Sequence, residues 1–505
     1  MDYLQPLLPL DMHNDALQAN VRPRDWTNPK PDGRYNFVVI GAGTAGLVAA
    51  AGAAGVGAKV ALIERGLMGG DCLNSGCVPS KSLISAARQI ALIQAADDAG
   101  IRVGRPEIDF PQIMERMRRM RAQLSPHDSA QRFRGLGIDV FFGDASFQDG
   151  NTVVVNGEAL RFQKACVATG ARATVPEIPG LLESGFLTNE SLFSLTELPQ
   201  RLVVLGGGPI GSEMAQCFAR FGTQVTLIDS GSQLLSNDEE AAAQLVQSAL
   251  ESDGVKVLLN ANVTRITGKG SAREVEVSSR EGEARIPCDQ LLVSVGRTPN
   301  VEGLGLEKVG IEFDLRRGIV VDDFLRTTNR NVFASGDVCS RFKFTHAADF
   351  MSRLVIQNAL FMGRARVSKL LIPWCTYTSP EVAHVGLYPK QAAELGVELV
   401  TYSQPFSSVD RAVLDGNESG YVSVYCRKGS DRILGATIVG EHAGDMIGEI
   451  VLAMKYGIGL KRIASVIHPY PTHTDAIRKL GDQFNRQRLT PLVKSLFEKW
   501  LKWGR

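Results

Sequence analysis

Twice in this chain a run of strand-forming apolar residues enters a glycine-rich turn, then a helix, a second apolar run and a carboxylate. The first copy is Tyr35–Ile40, then Gly41-Ala42-Gly43-Thr44-Ala45-Gly46, an alanine-rich stretch, Lys59–Ile63 and Glu64. The second is Leu202–Leu205, then Gly206-Gly207-Gly208-Pro209-Ile210-Gly211, a helical stretch, Gln224–Ile228 and Asp229. In both, the acid lies 23 residues after the first glycine. Such a βαβ unit suits a dinucleotide. The first glycine makes the turn, the second lets backbone approach a pyrophosphate, the third lets helix pack on sheet, and the acid accepts from ribose hydroxyls. One motif alone is weak evidence. Two at matched spacing predict an α/β chain with two Rossmann-like dinucleotide-binding domains, held at Gly41, Gly43, Gly46 and Glu64 and at Gly206, Gly208, Gly211 and Asp229. Two nucleotide-free units kept for packing are the alternative, since fold does not fix function.

The first unit runs into Gly69-Gly70-Asp71-Cys72-Leu73-Asn74-Ser75-Gly76-Cys77-Val78-Pro79-Ser80-Lys81. Residues five apart in a regular helix have Cα atoms about 8 to 9 Å apart, whereas a disulfide needs about 4.4 to 6.8 Å. Cys72 and Cys77 can therefore bond only across irregular backbone. Gly76 supplies that freedom, and Pro79 is tolerated in the first turn of a following helix. Cys77 then sits at a helix N-terminus with Lys81 one turn on, which favours a reactive thiolate. A redox-active pair is one reading; two buried structural thiols, or half of a metal site, are the others. Zinc takes four ligands, and the nearest histidines, His13 and His127, are at least 50 residues away. A dinucleotide unit that leads straight into reactive sulfurs argues for a bound flavin.

At 505 residues the chain exceeds one hydrophobic core and predicts three or four domains. A net charge of +1 gives no nucleic-acid footprint. Of the eight cysteines only the first two are closely spaced, and the others read as small buried hydrophobes in a reducing compartment. Met1–Leu10 carries no basic n-region, and no run of eighteen apolar residues occurs, so a cytoplasmic location is expected. Residues 1–34, with Pro23, Pro29 and Pro31, read as an extended arm lying on the surface. Ile113, Met114, Met117, Met120 and Leu124 form a helical apolar stripe that reads as core beneath a solvated face.

The cysteine stretch resembles Gly-Gly-x-Cys-x-Asn-x-Gly-Cys-x-Pro-Ser-Lys, the active-site motif of the flavoprotein disulfide reductases. These are the class I pyridine nucleotide-disulfide oxidoreductases, with dihydrolipoyl dehydrogenase, glutathione reductase and mercuric reductase among them. Further segments are similar to that family. Ala165–Gly170 resembles its Ala-Thr-Gly segment, Val332–Asp337 the segment whose aspartate holds the ribityl chain, and Val295–Asn300 the hinge after the NAD domain. Thr378–Ala383 and Val439–Ala443 resemble its interface domain. The resemblance covers about residues 35–487. It implies FAD in the first unit, NADH or NADPH in the second, and a homodimer. The implied domains are an N-terminal arm (1–34), an FAD-binding domain (35–185 and 303–370), an NAD(P)-binding domain (186–302), a C-terminal α+β dimerisation domain (371–487) and an amphipathic tail (488–505). By motif position, Cys77 is the flavin-proximal charge-transfer thiol and Cys72 the exposed thiol that attacks the acceptor. Lys81 and Glu213 form a pair near the flavin. Gly70, Lys81, Thr169, Gly170, Gly296 and Asp337 join the cofactor contacts. NADH is the preferred donor, because Asp229 repels a 2′-phosphate and no arginine lies between 221 and 264 to bind one.

One segment departs from the family pattern. Disulfide-reducing members carry His-Pro-Thr-x-x-Glu, whose histidine protonates a leaving thiolate. Here the stretch is His468-Pro469-Tyr470-Pro471-Thr472-His473-Thr474-Asp475, with Tyr470 at the histidine position and Asp475 at the glutamate position. Tyrosine, with an ordinary pKa of about 10, is a poor proton donor and acceptor at neutral pH. A tyrosine here resembles the mercuric branch, although no cysteine follows Cys426 and no metal-binding module precedes residue 35. His468 and His473 are the alternative acids. The expected function is an FAD-dependent NAD(P)H oxidoreductase passing electrons through Cys72 and Cys77 to Hg(II) or another soft acceptor, with no resident metal. A dihydrolipoyl dehydrogenase or other thiol-disulfide reductase is one alternative, and an FAD-binding sensor with little turnover another. The tail groups Leu492, Val493, Leu496, Phe497, Trp500 and Leu501 on one helical face, beside Lys494, Lys499, Lys502 and Arg505. Docking on its own protein is the expectation, and contact with a membrane surface the alternative.

Overall fold

The computed structural model describes residues 7–104, 106–280 and 282–504. The chain forms two compact units, Met1–Ser230 with Gly254–Leu370, and Gly231–Asp253 with Leu371–Arg505.

The first unit opens with helix α1, Met12–Val21, capped by the Asp11 carboxylate, which accepts from the amides of His13 (3.0 Å) and Asn14 (2.8 Å). This corrects the expected extended arm. All three prolines follow the helix, so none breaks it, and Leu17 and Val21 are 0% exposed within the first core. Residues 1–6 of the expected arm lie outside the described residues. Strand β1 (Arg34–Ile40), helix α2 (Thr44–Gly55) and strand β2 (Val60–Glu64) form the first βαβ unit, with β1 and β2 parallel and Phe37 opposite Val60. Helices α3 (Gly70–Asn74), α4 (Cys77–Gln94) and α5 (Phe110–Leu124) follow, then strand β3 (Ile138–Phe142). In α5 Met114 and Met117 are buried as expected of the stripe, but Leu124 is exposed because it lies in the last turn. The sheet runs β3, β2, β1, Glu158–Val167, Thr152–Val155, Ala145–Asp149. Much later in the chain, Val332–Ala334 returns to pair in parallel with Glu158–Val167.

The second βαβ unit builds its own parallel sheet, in the order Lys256–Leu258, Gln224–Ile228, Arg201–Leu205, Gln290–Val293. Its motif helix is Pro209–Arg220. The compact unit made by Gly231–Asp253 and Leu371–Arg505 contains an antiparallel sheet, Trp374–Thr376, Glu381–Gly386, Ile433–Gly440, Tyr421–Arg427, Leu399–Pro405. Helices Ala443–Lys455 and Asp475–Gln487 add Ile450, Ile477 and Leu480 to its core. Residues 231–253, inside the span expected for nucleotide binding, group here. Trp374 and Tyr388 both donate to Asp238 Oδ1 (3.1 and 2.6 Å), and Tyr425 donates to Glu239 Oε2 (2.5 Å). The tail forms helix Pro491–Trp503 with its apolar side chains exposed, Trp503 by 85%, except for the half-buried Val493; Arg505 lies outside the described residues. Among the described residues no helix is long and apolar enough to cross a membrane.

Candidate active site

The two glycine turns share one geometry. Gly41 (φ +101°) and Gly206 (φ +100°) occupy left-handed backbone, and a Cβ on either would come within 2.4 and 2.6 Å of the carbonyl oxygens of Ala168 and Ser294. A Cβ on Gly46 or Gly211 would strike the carbonyl of Gly41 or Gly206 at 1.8 or 1.9 Å. The middle glycines differ. Gly43 and Gly208 begin their helices with no side-chain cap, and a Cβ on Gly208 would meet nothing within 4 Å. Open space in front of uncapped helix amides is the cradle a pyrophosphate needs, so the residues fit dinucleotides. Each acid closes back on its own turn. Glu64 accepts from the amides of Ala42 and Gly66 (2.6 Å each), and Asp229 from Gly207 (2.6 Å). Burial pushes the Glu64 carboxyl up, opposed by those two amides.

Between α3 and α4 the helix breaks at Ser75 and Gly76. A Cβ on Gly76 would lie 2.8 Å from the Asp71 carbonyl, so the break requires glycine. Cys77 is the first residue of α4 and Pro79 sits in its first turn. Both sulfurs are free thiols, Cys77 exposed and Cys72 half-buried. Cys72 lies within α3, whereas Cys77 is the first residue of α4. The Cys72 thiol donates to Cys77 and, against the effect of burial and helped by Thr345 and Lys81, pulls the Cys77 thiol down to about 6. The same hydrogen bond, with burial, pushes Cys72 up. One proton thus serves two sulfurs, with the thiolate on Cys77.

Around this pair stand groups from distant segments. Lys81 Nζ lies 2.9 Å from Glu213 Oε2, and Glu213, on helix Pro209–Arg220, is 4% exposed. Thr345, the first residue of helix Thr345–Leu360, places Oγ1 3.5 Å from Cys77 Sγ. Arg297 is ion-paired with Asp71, lies 3.4 Å from Asp337 Oδ2 and donates to the Ala171 carbonyl (2.7 Å). Burial pushes the Asp337 carboxyl up, opposed by Arg297 and Lys343. Thr169 Oγ1 donates to the Asn300 carbonyl (2.7 Å), and the Asn300 amide donates to the Gly170 carbonyl (3.0 Å). Gly170 (φ +68°) and Gly296 (φ +131°) both need left-handed backbone, as does Gly70 (φ +55°). Thr345 and Arg297 had no assigned role in the sequence. A hydroxyl opening the helix after Gly336-Asp337 was the one available sign for Thr345.

Tyr470 and Asp475 belong to the second unit and do not pair with each other. Tyr470 is exposed and donates to Asp410 Oδ2 (2.8 Å), which pushes its hydroxyl pKa up. Burial would raise Asp475, but Arg478 (2.8 Å) and Lys479 (3.3 Å) outweigh it and hold the carboxyl low. His468 places Nε2 3.0 Å from Glu449 Oε1 and Nδ1 3.1 Å from the Val466 carbonyl. His473 Nε2 is buried without a hydrogen bond, 3.8 Å from Asp415 Oδ2. Among the described residues no cluster of histidine, cysteine and carboxylate side chains is arranged to hold a metal.

Glycine turns, the carboxylates that close them and a thiol–thiolate pair define a dinucleotide-dependent dithiol oxidoreductase. The family described as pyridine nucleotide-disulphide oxidoreductase matches residues 35–352, and its dimerisation domain matches residues 372–480. The chain belongs to the pyridine nucleotide-disulphide oxidoreductases, FAD enzymes that use pyridine nucleotides. It is 32% identical over 455 residues to mercuric reductase of Staphylococcus aureus, covering 90% of this chain and 83% of that one. It is 35% identical over 440 residues to dihydrolipoyl dehydrogenase of Geobacillus stearothermophilus, covering 86% and 93%. A solved structure, the Cu(II) complex of the HOCl-induced flavoprotein disulfide reductase RclA of Escherichia coli, is 29% identical with a TM-score of 0.78, over 90% of this chain and 100% of that one.

Proposed function

We propose that the protein is an NADH-dependent flavoprotein reductase whose Cys72–Cys77 dithiol delivers electrons to a soft metal ion, Hg(II) or Cu(II). The observation that carries this reading is Tyr470. It stands where disulfide-reducing members carry histidine, and its hydroxyl is committed to Asp410 (2.8 Å). Expelling a thiolate without a general acid forfeits about 10² to 10⁴ in rate, whereas a soft cation binds thiolates directly and needs no such proton. The Cu(II) complex of RclA is in keeping with this chemistry in a relative.

In the first unit, residues 35–185 and 303–370, FAD would be held by Gly41, Gly43, Gly46, Glu64, Gly70, Thr169, Gly170, Gly296 and Asp337. Lys81, held by Glu213 (2.9 Å), would lie beside it. In residues 186–302, NADH would be held by Gly206, Gly208, Gly211 and Asp229, whose carboxylate repels a 2′-phosphate. Residues 371–487 would make the homodimer, working in a reducing cytosol. When bound, FAD would supply two-electron redox chemistry between the nicotinamide and the Cys72–Cys77 disulfide. The dithiol then binds Hg(II) as two thiolates and releases the proton still held on Cys72. Two electrons pass to the metal, the sulfurs join in a disulfide, and Hg(0) leaves. Cu(II) takes one electron, so two ions are reduced per dithiol.

The test is an acceptor screen of the purified holoenzyme with NADH against Hg(II), Cu(II), lipoamide, glutathione disulfide and oxygen. Metal-dependent NADH oxidation that Cys72→Ser abolishes is expected, with weak lipoamide turnover. Strong lipoamide turnover without any response to metals overturns the proposal. A second reading, thiol-disulfide reduction, rests on the His468–Glu449 imidazole–carboxylate pair (3.0 Å), which could supply the missing acid; it requires that His468→Gln lower disulfide turnover.

A further inference from the structure

Helix α1 precedes the span matched by the family, which starts at residue 35, yet it grips the turn that carries the two thiols. The Val21 carbonyl accepts from the Met68 amide (3.1 Å). Arg22 Nη1 donates to the carbonyls of Arg65 and Gly66 (2.9 Å each). Leu17 and Val21 share a core with Met68 and Leu73. The most direct link runs through Arg121 of α5. Its Nη2 donates to Asn14 Oδ1 (2.6 Å), and its Nη1 donates to the carbonyl of Asn74 (2.7 Å), between Cys72 and Cys77. Asn74 Nδ2 donates in turn to the carbonyls of Met68 (3.0 Å) and Gly70 (2.8 Å).

Arg121 is buried, and burial pulls its guanidinium down to about 10. A buried cation hydrogen-bonded to two neutral oxygens is a costly way to hold two helices together, since apolar side chains would serve without desolvating a charge. What the guanidinium adds is direction. Its planar fork fixes the angle between its two acceptors, so the Asn74 carbonyl is aimed from a helix outside the nucleotide fold. From the other side Asn189 Nδ2 donates to the Ser75 carbonyl (3.1 Å). The backbone between the thiols is thereby fixed at two successive carbonyls.

We propose that α1 is a positioning element for the dithiol, acting through Asn14 and Arg121 on the Asn74 carbonyl to set the separation and alignment of Cys72 and Cys77. The proposal rests on reading these cysteines as the reactive pair, but its test does not use the acceptor. In the FAD-loaded, NADH-reduced protein, thiolate formation is followed at 240 nm against pH, and the iodoacetamide alkylation rate is measured at pH 7. Asn14→Leu removes the acceptor and is expected to change the alkylation rate about tenfold, in line with the sensitivity of reactive groups to small misplacements, and to shift the thiolate midpoint. Asn14→Asp keeps an acceptor for Arg121 and is expected to restore both. Asn20→Ala cuts a contact of α1 with Ser125 (2.8 Å) and controls for loss of stability alone, leaving both readouts unchanged. Should Asn14→Leu fail to fold, Asn14→Ser carries the same test. A folded Asn14 variant with wild-type alkylation rate and thiolate midpoint overturns the proposal. So does an Asn20→Ala that moves these readouts as far as Asn14→Leu does.

Discussion

At Cys77 the Cys72 thiol, the Thr345 hydroxyl and the field of Lys81 act together on one sulfur, and the reduced protein should titrate accordingly. One thiolate is expected to appear with a midpoint of about 6, while the second sulfur stays protonated through the alkaline range. The sign of the stability linkage changes along the pH scale. Cys77 is depressed from its ordinary 9.0, so from about pH 6 to 9 the unfolded chain holds more protons and stability of the reduced protein rises with pH. Above 9 both unfolded thiols are ionised while Cys72 keeps its proton, and the gain reverses. Thr345→Val should raise the lower midpoint by about one unit, as expected for losing a hydrogen bond to a charged group; Thr345→Ser should not. An unmoved midpoint in Thr345→Val would remove Thr345 from this role. The cysteine pair and Lys81 could be read from local spacing. Thr345 and Arg297 could not, because 268 and 226 residues separate them from Cys77 and Asp71 and no periodicity spans such distances.

At the scale of elements, the three glycines of each motif are not equivalent to substitution. A Cβ on Gly211 would collide with the Gly206 carbonyl at 1.9 Å and with Ser294 Oγ at 2.7 Å. Gly211→Ala should cost about 1 to 3 kcal/mol or more through overpacking, visible as a lower Tm. Gly208→Ala meets nothing within 4 Å, so its Tm should hold while KM for NADH rises and FAD content stays at wild type. Equal loss of Tm in both variants would contradict this division. Strand, turn and helix of both copies were legible because the motif is contiguous and its third glycine packs on the carbonyl of the first, five residues earlier. Helix α1 was not: three prolines downstream suggested extended chain, while the Asp11 cap and the Leu17–Val21 spacing that make the helix passed as noise in a short polar stretch.

For the whole molecule, the most conspicuous unassigned surface is the helix Pro491–Trp503. At 100° per residue Leu492, Val493, Leu496, Phe497, Trp500, Leu501 and Trp503 cover one half of it, and Lys494, Lys499 and Lys502 lie on the other with a single acid, Glu498. An anionic lipid surface complements the lysines and suits indole rings at headgroup depth. The full chain is expected to co-sediment with phosphatidylglycerol vesicles and to be released by salt, and protein ending at residue 488 is not. Equal sedimentation of the two, or binding that neutral vesicles match, rules out this contact. The grouping of Gly231–Asp253 with the C-terminal unit bears on how the molecule can be taken apart. Trp374, Tyr388 and Tyr425 point their polar hydrogens at Asp238 and Glu239, so a recombinant fragment beginning at residue 371 would lose the carboxylates that these three side chains donate to. Cutting this gene at its apparent domain borders would therefore yield a less stable piece; the dimerisation half travels intact only with a borrowed loop and helix from more than a hundred residues upstream.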